Sequence, residues 1–326
     1  MLSKVLKISG IFILLSLFTF QSLSQRPRLQ KSGQKKRSHL ELENQMKSDT
    51  IPKKTNNSRK TKTCDCNKDL EFDRDVDLVY SKNIKGKPLF SGTCISFYSN
   101  RKLQLKATFI KGKEEGTTYK FYKNGTPWVQ MNHSLGKPHG KWFFWDKDST
   151  LRWENNYHLG FKNGKQTYYY PNGKLKKVEF YTKNVREGKF EQYHKNGALK
   201  KEVEYKKNKF DGIYKKYAED STLIMDRFYK KGVIEGTDKY YYSNGKLAYN
   251  HFYKKGKKHG KWIFYYEDGK EKRIEEYKKG KTIGIWKIFH KNGKLKSEIV
   301  YNKKGIVQSK KLFNKFGEPI EIKSKK

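Results

Sequence analysis

The side chains in this chain that could carry chemistry are few and spread along it. His139 and His259 each precede a glycine, and His194 and His290 stand where other copies carry tyrosine. Imidazoles of this kind can ligate a metal or move a proton near neutral pH. Glu154, Glu202 and Glu298 recur at one spacing, and Cys64-Asp65-Cys66 is followed by Cys94. Carboxylates could act as general bases, and cysteines could form a disulfide or, as thiolates, hold zinc. Each of these chemistries needs unlike groups converging at one place. No nucleophile elbow, phosphate-binding glycine loop or paired-cysteine zinc spacing is present in the sequence. We therefore expect no catalytic, cofactor-binding or metal-ligating residue, and read the chain as non-enzymatic. The three cysteines imply instead a disulfide from Cys66, or alternatively Cys64, to Cys94.

The elements that would position these groups explain why they do not converge. A glycine recurs at Gly92, Gly116, Gly140, Gly164, Gly188, Gly212, Gly236, Gly260 and Gly284, each 24 residues after the last. Five residues on, every copy is aromatic, from Phe97 to Tyr265 and Phe289. Seventeen residues on, Phe109 and His133 are followed only by tyrosines, Tyr277 among them. Such a fixed period marks a stacked-repeat architecture. Within a unit, two runs rich in aromatic and β-branched residues flank Asn-Gly or Asp-Gly, the strongest short-range hairpin signal. Gly or Asn also stands at the opposite turn, at 112, 136, 160, 184, 208, 232, 256 and 280.

The predicted fold is all-β: an elongated single-layer antiparallel β-meander of about nine 24-residue hairpin repeats. Two strands per unit advance the sheet by roughly 10 Å, which would put His139 and His259 about 50 Å apart. His194 and His290 then read as aromatic-sized surface residues, and the recurring glutamates as cross-strand partners of lysines. Ser149 and Ser221 replace the turn glycine, and a different turn is expected there.

Five segments follow along the chain. Residues 1–25, with Lys4 and Lys7 ahead of an apolar run, read as a signal peptide or an uncleaved N-terminal anchor. Residues 26–63 carry twelve basic residues against three acidic and no aromatic, and read as a basic disordered linker. Residues 64–91 form a lead-in that caps the array with a strand at 78–80. The array spans 92–307, and a degenerate half-repeat with a basic tail fills 308–326.

Charge is the main signal beyond architecture: 74 Lys and Arg face 33 Asp and Glu, formally +41. Lys206, Lys207, Lys230, Lys231, Lys254, Lys255, Lys278 and Lys279 sit at corresponding turns and should line one long edge. Such an edge would attract anionic lipid or polysaccharide, or nucleic acid if the protein met any. It would also oppose edge-to-edge aggregation.

Gly140-Lys141-Trp142, Gly260-Lys261-Trp262 and the Tyr-Tyr-x-x-Gly-Lys runs resemble the MORN-repeat variant of bacterial proteins catalogued as YwqK-like antitoxins. The resemblance covers about seven-tenths of the chain. It implies a scaffold for protein or lipid association, while the antitoxin label implies a cytoplasmic partner that an export signal would contradict. The expected function is thus an exported, non-catalytic scaffold binding an unidentified protein, or an anionic lipid or polysaccharide surface of the envelope. Nucleic acid is not expected as a partner of an exported chain. The alternative is an antitoxin that neutralises a toxin by direct contact.

Overall fold

A computed structural model describes residues 63–321. The expected signal peptide and nearly all of the basic linker lie outside the described residues, as do the last five residues of the tail. The described residues contain strands and turns and no α-helix. One 27-stranded sheet holds all of them except a separate two-stranded hairpin, Leu70–Asp73 with Leu78–Ser81.

Each unit repeats one hydrogen-bonding plan. A six-residue strand such as Gly260–Tyr265 pairs antiparallel with an eight-residue strand, here Glu271–Lys278. The loop joining them holds three residues. In the Gly116 unit the Gly125 amide donates to the Tyr122 carbonyl at 2.8 Å and the Tyr122 amide to the Thr126 carbonyl at 2.9 Å. Gly125 has φ +91, whereas Asn124 is not among the positive-φ residues. This is a three-residue loop, a type I turn followed by a left-handed residue that forms a bulge. Asn124 keeps its conformation because its side-chain oxygen accepts the Thr126 amide at 3.1 Å. Ser149 and Ser221, expected to form something different, adopt φ +67 and +71 and close the same loop. The backbone pattern is strong enough to impose the left-handed conformation on a serine.

The opposite turns are the two-residue type I′. Lys255 and Gly256 have φ +53 and +72 between the paired residues Lys254 and Lys257. The residue before the glycine or asparagine is also left-handed in each unit, at Lys111, Leu135, Leu159, Lys183, Lys207, Lys231, Lys255 and Lys279. The recurrent glycines are not turn residues at all. After the type I′ turn the chain pairs for two residues, as at Lys257–Lys258, and then inserts His259, whose amide donates to the Phe252 carbonyl at 2.9 Å, before Gly260. Gly260 has φ +63 and starts the next strand. It marks a bulge, which explains why a residue indifferent to the sign of φ recurs there.

The sheet is therefore a meander interrupted by a bulge in every repeat, and its first edge departs from the antiparallel plan. Thr63–Asp65 adds in parallel to Gly92–Phe97, with Cys64 opposite Cys94. That strand covers the edge, while Leu78–Ser81 instead pairs with Leu70–Asp73 and meets the array through the Val79 amide and the Gly112 carbonyl at 2.9 Å. Leu70, Val79, Phe90, Cys94, Ala107 and Phe109 form a buried apolar cluster here. Cys66 and Cys94 are joined by a disulfide with a Cα separation of 5.0 Å. At the other end Val307–Phe313 and Pro319–Ile320 form a last hairpin.

Neighbouring units are tied by side chains as well as backbone. Tyr98, Tyr122, Tyr170, Tyr242 and Tyr266 each donate a hydroxyl hydrogen bond to a carbonyl 23 residues ahead, at 2.7–2.8 Å. Asn100, Asn124, Asn172, Asn196, Asn244 and Asn292 do the same through their amide nitrogens.

Candidate functional site: a charged ladder and a basic edge

The sheet alternates its side chains between two faces. On one face a single rung runs through consecutive strands: Tyr214 opposite Arg227, Arg227 opposite Asp238, and Asp238 opposite His251. It continues through Trp262, which lies opposite Glu275. Asp238, His251, Trp262 and Glu275 are all buried. Arg227 donates from Nε to Asp238 Oδ1 at 2.8 Å and through its second nitrogen to Oδ2 at 3.1 Å, a bidentate pair. Glu275 pairs with Arg273 at 2.8 Å and accepts the Tyr277 hydroxyl at 2.9 Å. Two repeats before Arg227, buried Glu179 meets Lys177 at 2.9 Å and Arg186 at 3.4 Å. A single-layer sheet can bury such charges only if neighbouring rings cover them and opposite charges pair them.

His251 lies within this rung. Its ring stacks on Trp262 at 3.8 Å and on Tyr249 at 4.1 Å, and Lys258 stands 4.1 Å over the Trp262 ring. Burial, reinforced by Lys258, Arg273 and Arg227, pulls its pKa down to about 4. The folded chain thus holds His251 neutral where an unfolded chain would protonate it. Stability should fall as pH drops from about 6.5, the ordinary histidine value, to about 4, below which both states are charged. Acid titration of thermal stability checks this: His251→Phe should lose the component of acid sensitivity that falls in that window.

The residues singled out from sequence fall into structural places. His194 and His290 place Nε2 3.1 Å from the carbonyls of Tyr217 and Phe313, in the bond that tyrosine hydroxyls make in other copies. His259 Nδ1 accepts the Lys279 amide at 3.4 Å, a role that Glu115, Glu187 and Glu235 fill elsewhere. Lys141 pairs with Glu154 at 2.8 Å and Lys189 with Glu202 at 3.2 Å, while Glu298 lies opposite Lys287 and Lys311. Tyr277 is buried between Trp262 and Trp286, and the Tyr265 carbonyl accepts the Tyr242 hydroxyl. Among the described residues, no group of three His, Cys, Asp or Glu side chains is arranged to hold a metal.

The other organised feature is the row of type I′ turns. Lys206, Lys207, Lys230, Lys231, Lys254, Lys255, Lys278 and Lys279 are all exposed, and Lys209, Lys257 and Lys281 join them on the following strands. None of these eleven takes part in an ion pair among the described residues. The opposite loops differ: they carry Asp148, Glu219, Asp220, Glu267 and Asp268. Four lysines there are engaged, Lys102, Lys174, Lys246 and Lys294 each donating to a carbonyl of the next unit at 2.6–2.9 Å. The Arg227–Asp238–His251 rung was missed in the sequence because its column changes identity from copy to copy. Its only signal was polar residues at strand positions flanked by rings.

No curated protein matches the chain. A solved structure, the Tc holotoxin pore of Photorhabdus luminescens, aligns over 77% of this chain and 14% of that one, at 9% identity and a TM-score of 0.19; a likeness this slight bears on neither fold nor function. The model of the MORN repeat variant matches residues 162–183, 186–207, 234–255, 258–279 and 283–303. The five matched segments are similar to that repeat, and the units between and before them share their period and hydrogen-bonding plan.

Proposed function

We propose that this protein is a non-catalytic repeat scaffold, exported from the cytoplasm, whose basic turn edge holds it against an acidic surface while the array presents a protein-binding face. The observation that carries this reading is the row of eleven exposed lysines on one edge that form no ion pair among the described residues, while four lysines at the opposite loops donate to carbonyls of the next unit. Unneutralised charges at a repeat of roughly 10 Å sum along a polyanion or an anionic bilayer, each worth about 1 kcal/mol near such a surface. At these turns the bonds to the sheet are made by the lysine amides, which any residue could supply, so the side-chain charges favour a role outside the fold.

The test is binding of the purified full chain to vesicles containing anionic phospholipid and to a soluble acidic polysaccharide, with zwitterionic vesicles as control. Replacing the eight paired turn lysines from Lys206 to Lys279 by glutamine should weaken binding by about 100-fold or more at low salt and leave the β-sheet spectrum unchanged. Equal binding by wild type and variant would sink the edge proposal. Fractionation with N-terminal sequencing addresses export: a mature chain beginning near residue 26 outside the cytoplasm supports it, and an uncleaved cytoplasmic chain favours the antitoxin alternative.

A further inference from the structure

We propose that Cys64, Cys66 and Cys94 form an exchangeable disulfide node, and that its second pairing presents Cys66 as a covalent attachment site for a small cationic disulfide. The inference stands on the first edge of the sheet and does not depend on the identity of the array's partner. Cys66 is bonded to Cys94, and Cys64 is not part of that disulfide. Cys64 is nevertheless the residue in register with Cys94 on the adjacent parallel strand. Adjacent strands lie about 4.8 Å apart, within the 4.4–6.8 Å between Cα atoms that a disulfide spans. Cys66 follows the last strand residue, Asp65, and stays beside the neighbouring strand because its amide donates to the Ile95 carbonyl at 3.2 Å. Both pack against the apolar cluster that contains Cys94. Two cysteines, one on the short strand and one just past its end, thus compete for one partner.

Exchange needs no oxidant. The Cys64 thiolate attacks Cys94 Sγ, the Cys64–Cys94 bond forms, the Cys66–Cys94 bond breaks, and the electron pair leaves on Cys66 Sγ. Cys66, unlike Cys64, lines a depression of about 420 Å³ walled by Leu70, Phe72, Val79, Leu105 and Phe109. Asp77 and Glu114 supply carboxylates there, and Glu114 lies 3.0 Å from His133 Nε2. The Cys66 thiolate can then attack one sulfur of a small disulfide, forming a mixed disulfide and releasing the other half as a thiolate. The carboxylates select a cationic disulfide such as cystamine over an anionic one such as oxidised glutathione. Because Thr63–Asp65 covers the edge of the array, the node couples redox exchange to the strand that blocks further strand addition.

The full chain is incubated with cystamine or oxidised glutathione, quenched in acid, and cut before Asp65 so that Cys64 and Cys66 fall on separate peptides for mass spectrometry. Adducts on Cys66 accompanied by a Cys64–Cys94 disulfide, formed at least several-fold faster with cystamine, support the proposal; adducts confined to Cys64 overturn it. Two variants read the pairing without any ligand. Cys66→Ser should form the Cys64–Cys94 disulfide, and a fully reduced Cys66→Ser protein would overturn the exchange. Cys64→Ser should keep Cys66–Cys94 and resist both reagents, and cystamine labelling of Cys66 in that variant would show that exchange is not the route.

Discussion

Replacing Asp238 by alanine is expected to destabilise the middle of the array by about 3–5 kcal/mol, the cost of stranding one member of a buried ion pair. Asp238 is 2% exposed, and both of its oxygens are taken by Arg227. Burial works against the Arg227 charge, yet the hydrogen bonds it donates to Asp238 and Tyr229 outweigh that and hold the guanidinium pKa above its ordinary value. Without Asp238 that charge keeps only neutral partners such as the Tyr229 hydroxyl at 3.1 Å. The double variant Arg227→Met with Asp238→Leu should recover most of the loss, because both desolvation penalties disappear together. A repeat array need not unfold in one step, so amide hydrogen exchange over residues 212–241 is the appropriate measurement, alongside urea denaturation. A loss below about 1 kcal/mol for Asp238→Ala would show that water reaches the pair and screens it.

The second large effect distinguishes glycines that look alike in the repeat. Gly212 has φ +132, and a Cβ placed there would sit 2.9 Å from the Glu204 Cβ and closer still to its carboxylate. Gly236 has φ +77 and nothing within 4 Å of such a Cβ. Gly236→Ala should therefore cost only the left-handed penalty of about 1–2 kcal/mol. Gly212→Ala adds a clash at a φ open almost only to glycine and should cost about 3 kcal/mol or more. Equal losses in the two variants, measured by denaturant titration, would mean that the Gly212 bulge relaxes freely around the new methyl group.

Much of the fold was legible because a repeat presents the same evidence nine times. Tyr265 and Tyr277 could be assigned to columns without knowing what either touches, since any column filled by rings in every copy must serve the sheet. Local turn chemistry was less legible. Asn124-Gly125 satisfies both the two-residue type I′ turn and the three-residue loop that forms, and only the Tyr122–Thr126 pairing selects between them. The recurrent glycines were equally ambiguous, because a turn and a bulge demand the same positive φ.

The Arg227–Asp238–His251–Trp262–Glu275 rung shows the limit in another way. Its members lie 11 or 13 residues apart, and their adjacency depends on how each bulge resets the register between one hairpin and the next. The basic edge was readable in position but not in character: Lys102, Lys174, Lys246 and Lys294 are bonded to carbonyls on one side of the sheet, while the eleven edge lysines form no ion pair among the described residues.

By itself, then, the sequence determined the period, the all-β hairpin architecture and the line of turn lysines, because these follow from composition and spacing within about 24 residues. Only the tertiary structure decided which turns form, that the parallel strand Thr63–Asp65 covers the first edge, that Cys66 bonds Cys94, and which charges meet beneath the rings. Those outcomes depend on register between strands, which is set by hydrogen bonds between units, and one residue of slip would send every side chain to the opposite face.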